Sequence, residues 1–347
     1  MKYSKTSAIK IYPGYNQFRY SFYIKGINQI FFRENIHYSS IGFPIFGHHA
    51  LPFIVGSNPG LKIYISAGDG PGYNMDGLDW SDVYVKRTLI NELVPEKYKT
   101  KIIPMGPHFG IRVLGFIPTL YQAIRTYFFW SECIENPRDH IWNYFKQFYF
   151  RLPEKAYVPG NPDSKYVFYA ATLYPTHPNY NRYRATFIEA CRESIGIEFE
   201  GGFIRKDTYR VPEYLPYTIN KYYPISEWVN KSKKSSLGFW APGDQGAMTL
   251  KLGEFLALGK AIIAVPIRQE QLPSPLVHGE HVHFVDGSLE EMKKAVQLLT
   301  TDNDYRQKLE RNARTYYEQW VSPEQAIQRY IREGCERAGI SIEGSSS

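Results

Sequence analysis

The sequence predicts an α/β fold in two domains, and three observations support that prediction. The chain has 347 residues, which corresponds to two domains of ~150 residues each. Apolar residues make up 43% of the chain and charged residues 22%, as in ordinary globular proteins. Strand-like and helix-like segments alternate through the second half, which is typical of a parallel sheet with helices on both faces.

The first half of the chain has few regular segments. Residues 62–66, "KIYIS", predict a strand, whereas residues 20–32 leave helix and strand both open. Residues 117–130 predict a helix with Pro118 near its first turn, where a missing N–H is tolerated. The aromatic segment 113–130 leaves two alternatives open: a buried helix, which we expect, or contact with a membrane or an acceptor lipid.

Residues 152–164 predict a linker, because they contain three prolines and a glycine. We therefore expect one domain over residues 1–155 and a second over residues 163–322. A final helix over residues 323–340 is expected to return to the first domain.

The second half alternates regularly between the two kinds of segment. Strands are predicted over residues 165–172, 196–202, 236–242, 260–266 and 281–286. Helices are predicted over residues 183–194, 226–235, 248–259, 288–301, 303–320 and 322–339. Ser226 and Ser288 are predicted N-caps, and Gly259 is predicted to end its helix.

Charge and cysteine content limit the classes of partner and compartment. The net charge of +7 is spread along the chain without a nucleic-acid-binding motif, which favours anionic small ligands or an anionic membrane surface over nucleic acid. Three separated cysteines predict neither a disulfide framework nor a zinc site. The first residues lack an apolar core of signal-peptide length. We expect a cytoplasmic protein, with a peripheral position at the inner face of the membrane left open.

One strand–loop–helix segment has the features of a nucleotide site. In parallel sheets, ligands lie beyond the carboxyl ends of strands, and a helix start there can hold a phosphate. Gly243 and Gly246 let a ligand approach the backbone. Thr249 offers a hydroxyl and Lys251 a charge to a diphosphate, and Glu254 can accept two hydrogen bonds from a ribose diol. The alternative is a surface ion pair between Lys251 and Glu254, worth a few tenths of a kcal/mol.

The same segment, "TLKLGEFLALGKAIIA", resembles the donor-site helix and following strand of GT-B-fold glycosyltransferases of the group 1 type. The downstream stretch "VHGEHVHFVDGSLEEMKKAVQLLTTDNDYRQKLERNARTYYEQW" is also similar to that family. The likeness covers residues 235–326 well and residues 165–234 loosely.

The resemblance implies a fold and an activity. The fold would be α/β of the GT-B type, two Rossmann-like domains with a ligand cleft between them. The activity would be that of a bacterial-type glycosyltransferase in polysaccharide biosynthesis. Such an enzyme moves a sugar from a nucleotide-diphosphate sugar to a glycan or lipid-linked saccharide, without a metal or another cofactor. Two alternatives stay open: a GT-B-fold nucleotide-sugar epimerase, and a non-catalytic nucleotide- or glycan-binding protein.

Residue roles on the donor side follow from the resemblance. It assigns ribose binding to Glu254 and offers Arg182 and Arg184 as basic partners of the phosphates. Many retaining members carry a second glutamate eight positions earlier, where this chain has Gly246. Asp244 and Gln245 lie beside that position and are candidate substitutes, so the stereochemistry of transfer stays open.

The catalytic base is sought in the first domain, where similar enzymes usually bind the acceptor. Asp69 and His108 are the candidates, because each follows an apolar segment and lies just before a glycine. Asp302 and Asp304 are interpreted as helix-capping residues, and we expect no metal site.

Overall fold

The computed structural model describes residues 8–57, 60–173, 178–204, 211–243 and 246–340. Its contacts divide the chain into two compact units. The amino-terminal unit comprises Met1–Glu154, Glu270–Pro273 and Trp320–Ser347. The carboxyl-terminal unit comprises Lys155–Gln269 and Ser274–Gln319.

The strands and helices of the described residues are numbered in chain order. The strands are β1 Ile9–Ile11, β2 Ile36–Tyr38, β3 Ala50–Val55, β4 Leu61–Ser66, β5 Val83–Lys86, β6 Ile102–Pro104, β7 Tyr166–Thr172, β8 Glu198–Ile204, β9 Thr218–Ile219, β10 Leu237–Trp240, β11 Ala261–Ala264 and β12 His283–Phe284. The helices are α1 Gln17–Ile30, α2 Met75–Trp80, α3 Phe116–Phe129, α4 Pro137–Phe150, α5 Pro178–Glu193, α6 Ile225–Lys234, α7 Leu250–Ala257, α8 Leu289–Thr301, α9 Asn303–Tyr316 and α10 Pro323–Ala338.

The amino-terminal unit is built on a mixed sheet of order β2-β1-β3-β4-β5-β6. Strands β4, β5 and β6 are parallel, whereas β3 is antiparallel to both β1 and β4. The connection between β3 and β4 is short, and a short connection permits only antiparallel pairing. The carboxyl ends of β4, β5 and β6 therefore meet at one edge of the sheet.

Helix α10 packs in the amino-terminal unit, against α1, β4 and β5. Gly26 permits the close approach of α1, because a Cβ there would lie 2.0 Å from the carbonyl oxygen of Pro323. Arg329 Nη2 donates to the Pro104 carbonyl at 2.8 Å, and the Tyr330 hydroxyl donates to the Met105 carbonyl at 2.6 Å. These bonds attach α10 to the end of β6.

The carboxyl-terminal unit contains two parallel three-stranded sheets, β7-β8-β9 and β10-β11-β12. They join through β7 and β10: Ser236 N donates to the Tyr166 carbonyl at 2.8 Å, and Phe168 N donates to Ser235 Oγ at 2.9 Å. The combined order is β9-β8-β7-β10-β11-β12. After β7 the chain adds strands on one side of the sheet, and after β10 it adds them on the other side. The Phe187 and Phe239 rings, stacked 4.4 Å apart, lie in the core beside this join.

The α/β class predicted from the sequence is confirmed, as are the strand at β4 and the alternation from β7 to α10. Ser288 caps α8 by accepting from Glu291 N, and Gly259 has the left-handed φ of 57° expected after α7. The Ser226 cap is wrong, because α6 begins one residue earlier with Pro224 at its N-cap position. The open segment in the first half is helical and forms α1.

Candidate functional site

The join between β7 and β10 is the topological switch point of the carboxyl-terminal unit. In open sheets of parallel strands, loops that leave neighbouring strands in opposite directions open a crevice there, and ligands bind in it. The chain leaves β7 toward α5 on one side and leaves β10 toward α7 on the other. The segment predicted to bind a nucleotide therefore lies at the position where such a fold binds one.

A hydrogen bond connects the loop before α7 to the first turn of α5 across the switch point. Gly246 N donates to the Tyr180 hydroxyl at 3.0 Å, although the two residues are 66 positions apart. Gly246 has a φ of 78°, which favours glycine, and among the described residues a Cβ there would meet only Arg268 Nε, at 3.8 Å. Gly246 thus brings the loop before α7 close to the first turn of α5.

Three charged side chains interact beside these loops. Arg184 on α5 and Glu254 on α7 are buried, Glu254 with 6% of its surface exposed, and Lys251 is half-buried. Burial lowers the pKa of Lys251; the Glu254 carboxylate raises that pKa and the Arg184 guanidinium lowers it. The Lys251 ammonium lies 4.0 Å from the centroid of the Trp228 ring. Glu254 is therefore not half of a surface ion pair, and the cluster carries net positive charge.

The other predicted donor residues differ in their positions and in their burial. Thr249 occupies the N-cap of α7, and its side chain makes no capping bond there. A Cβ on Gly243 would lie 3.0 Å from Thr249 Cγ2, so the loop packs tightly at its start. Arg182 is exposed, with its guanidinium 5.3 Å from the Tyr183 ring centroid, unlike the buried Arg184. Asp244 and Gln245 lie outside the described residues.

A second group of polar residues lies where β4, β5 and β6 end in the amino-terminal unit. Asp69 follows β4, its side chain is 62% exposed, and it forms a 2.5 Å ion pair with Arg87, which follows β5. Thr88 Oγ1 donates to the Asp69 carbonyl at 2.7 Å. The Asp69 carboxylate is thus held from one side and remains accessible to solvent.

His108 follows β6 and belongs to the core. It is buried between Phe22 and Tyr23, with ring centroids 6.3 and 5.7 Å away, and its Nδ1 lies 3.4 Å from the Gly106 carbonyl oxygen. Burial, assisted by the charge of Arg87, lowers the pKa of His108 to about 3. His108 is closed off from solvent, whereas the Asp69 carboxylate is accessible, so accessibility distinguishes the two candidates.

Lys86 at the end of β5 was missed in the sequence. It is buried, and its ammonium donates to the carbonyls of Gly70 and Gly72 at 2.8 and 2.6 Å. Burial lowers its pKa to about 8, against the attraction of Asp69. Lys86 therefore fixes the glycine-rich loop that carries Asp69. The signal available in the sequence was a lysine at the end of the apolar segment "VYVK". The structure shows that all four of these residues are buried.

The described part of the chain has neither a cluster of metal-ligand side chains nor a membrane-spanning helix. Its histidine, cysteine and acidic side chains form no group of three or more suited to hold a metal ion. None of its helices has both the length and the apolar character required to cross a bilayer.

Comparisons with known proteins give structural matches only. No family model matches the chain, and no curated protein does. The C-terminal domain of a group 1 family glycosyl transferase (LpcC) from Francisella tularensis is 14% identical, with 48% of this chain and 90% of that chain covered and a TM-score of 0.31. Anabaena Alr3699/HepE in complex with UDP-glucose is 10% identical, with 72% and 71% covered and a TM-score of 0.40.

A third match, TarM, is 11% identical, with 51% of this chain covered and a TM-score of 0.38. This chain spans 36% of the length of TarM. The solved structures similar to the chain thus include glycosyltransferases, as the sequence resemblance predicts, at a likeness too low to assign an activity or a substrate.

Proposed function

We propose that the chain is a glycosyltransferase that takes a nucleotide-diphosphate sugar as its donor, with a glycan or a lipid-linked saccharide as its acceptor. The diphosphate binds at the loop before α7, between Gly246 and Lys251. The ribose binds at Glu254. No metal and no further cofactor takes part.

The observation that carries the proposal is the position of the charged cluster. Lys251, Glu254 and Arg184 interact beside the switch point, and Gly246 lies in the loop that leaves it. The Glu254 carboxylate offsets only one of the two cations, Lys251 and Arg184, so the cluster keeps a net positive charge that an anion would stabilise. A diphosphate would supply that negative charge, and the Glu254 carboxylate would accept from the ribose diol.

The chemistry follows from where charge develops. When the sugar leaves the donor, negative charge grows on the diphosphate, and Lys251 together with the start of α7 stabilises it. Asp69 is the base that takes the proton of the acceptor hydroxyl. Arg87 orients the Asp69 carboxylate, and Lys86 holds its loop.

Thermal unfolding in a panel of nucleoside diphosphates and nucleotide sugars tests this function. A ligand present at 100 times its Kd stabilises the state that binds it by about 2.7 kcal/mol. We expect the nucleoside diphosphate of one particular nucleobase, and a nucleotide sugar with the same nucleobase, both to raise the unfolding temperature. If no member of the panel changes it, the proposal is wrong.

Turnover then separates the alternatives. A glycosyltransferase releases nucleotide in an acceptor-dependent way, as measured with a mixture of glycan and lipid-linked acceptors. Net epimerisation of the donor without acceptor would indicate the epimerase instead. Binding without turnover under any of these conditions would indicate the non-catalytic binder.

A further inference from the structure

Helices α3 and α4 form a hairpin whose polarity is reversed. On α3, the buried residues are Thr119, Ala123 and Thr126. Its exposed face includes Ile117 at 77%, Ile124 at 44% and Phe128 at 75% exposure. A helix on a water-facing surface normally buries its apolar face and exposes its polar one. The buried helix expected from the sequence is therefore wrong for this face.

Polar bonds fill the inside of the hairpin. Gln147 on α4 is fully buried, and its Nε2 donates to Thr119 Oγ1 at 3.0 Å while its Oε1 accepts from Val113 N at 3.0 Å. The hydroxyls of Thr126 and Tyr144 lie 3.4 Å apart in the same interior. These bonds fix the rotation of both helices about their axes, because turning either helix would break them. The apolar side chains are therefore held on the outside of the hairpin.

Large apolar side chains continue over both helices. The exposed members are Phe116, Ile117, Leu120, Tyr121, Ile124, Phe128, Phe129, Trp142, Tyr149 and Phe150. We call these ten residues the hairpin face. A face of this kind on a protein surface marks a place that contacts something apolar.

Cations lie beside the aromatic rings of the hairpin. The Arg125 guanidinium lies 5.4 Å from the Trp130 ring centroid, and the Lys146 ammonium lies 5.9 Å from that of Trp142. The charged residues within α3 and α4 are Arg125, Arg138, Lys146 and Asp139, a net charge of +2 from three cations and one anion. Aromatic rings with cations at their margin suit the boundary between acyl chains and anionic head groups.

A cavity of 540 Å³ opens beside α3 and is lined by Arg33, Arg125, Tyr121 and Gln17, among others. The cavity therefore offers two guanidinium groups, those of Arg33 and Arg125, next to the hairpin face, and these suit an anionic head group.

We propose that the hairpin face docks the chain on an anionic lipid surface, with Arg33 and Arg125 reaching the head groups. This proposal deepens the proposed function, because it places a lipid-linked acceptor next to the unit that carries Asp69. It does not depend on nucleotide binding, so each can fail without the other.

Sedimentation with vesicles tests the proposal on the full chain. Vesicles of phosphatidylcholine alone are compared with vesicles that also contain phosphatidylglycerol. We expect binding to the anionic vesicles, weaker binding at high salt, and at least ~10-fold weaker partitioning of an Ile117→Ser/Phe128→Ser variant. The matched control is Ile195→Ser, at a 92% exposed isoleucine of the other unit, which should bind like the parent.

A charge variant tests the head-group contact. Arg33→Gln/Arg125→Gln should reduce the preference for anionic vesicles about 30-fold, at ~1 kcal/mol for each of the two cations near the surface. Arg311→Gln/Arg332→Gln, at two exposed arginines elsewhere, should not. Equal binding to both vesicle types, or full binding by the Ile117→Ser/Phe128→Ser variant, would overturn the proposal. Sedimentation velocity tests whether the hairpin face instead joins two copies of the chain. A parent dimer that the Ile117→Ser/Phe128→Ser variant loses, with vesicle binding unchanged, would also overturn the proposal.

Discussion

The burial of His108 predicts a specific loss of stability in acid. Its pKa is about 3 in the folded chain, against an ordinary value of 6.5. Because the unfolded chain binds the proton first, stability is complete above pH 6.5 and falls as the pH drops from there toward 3. At about pH 5 the loss from this one residue is about 2 kcal/mol. His140, with a pKa that burial lowers to about 4, adds about 2 kcal/mol by the same rule.

The substitution His108→Phe separates the stability role from a catalytic one. Phenylalanine keeps an aromatic ring between Phe22 and Tyr23 and does not titrate. The free energy of unfolding is measured by urea titration at about pH 7.5 and at about pH 5. We expect its fall between these pH values to be about 2 kcal/mol smaller in His108→Phe than in the parent. Turnover should be retained, because Asp69 is the proposed base.

The control for this measurement is His37→Gln, at an exposed histidine of the same unit, which should leave the pH dependence unchanged. If His108→Phe keeps the full pH dependence of the parent, the imidazole is not held neutral by burial. If the variant folds normally but loses turnover, His108 takes part in the reaction and the assignment of Asp69 is wrong.

Three further outcomes test the proposed chemistry. Asp69→Asn should lower turnover by ~10²-fold or more with nucleotide affinity unchanged, and a variant as fast as the parent would exclude Asp69 as the base. Turnover should survive EDTA, whereas a loss restored by Mg²⁺ or Mn²⁺ would contradict the metal-independent reaction. Lys251→Met should weaken nucleoside diphosphate binding by about 1.5–3 kcal/mol. Lys260→Met should not, although burial lowers the pKa of Lys260 to about 8 as well, because its ammonium bonds to backbone carbonyls instead. Equal effects in calorimetry would remove the special role of Lys251.

Local signals predicted the carboxyl-terminal unit well. The cap at Ser288 and the glycine after α7 act within one helical turn, so the sequence displays them directly. In the amino-terminal unit, β1 and β3 pair antiparallel across the sheet, and no local pattern indicates such a partner. Helix α4 escaped detection because its apolar side chains lie on the exposed face and its buried ones include Gln147.

Long-range contacts explain what the sequence could not provide at the candidate sites. The segment before α7 was found from its glycines and charges, but the bond from Gly246 to Tyr180 depends on the order of the strands. Lys86 acts on a loop 14 to 16 positions earlier, and its role required the pairing of β4 with β5. His108 was a candidate base because its sequence neighbours do not show that it is buried. Burial, which lowers its pKa, is a property of the folded chain.

The most direct test of the central claim is a calorimetric cycle at Glu254. The nucleoside diphosphate that stabilises the chain most and its 2′-deoxy form are each titrated into the parent and into Glu254→Gln. If Glu254 holds the ribose, the parent prefers the ribose form, and Glu254→Gln loses ~1–3 kcal/mol for that form but far less for the deoxy form. Equal losses for the two forms, or no loss for either, would show that Glu254 does not bind the ribose and would contradict the donor site proposed at α7.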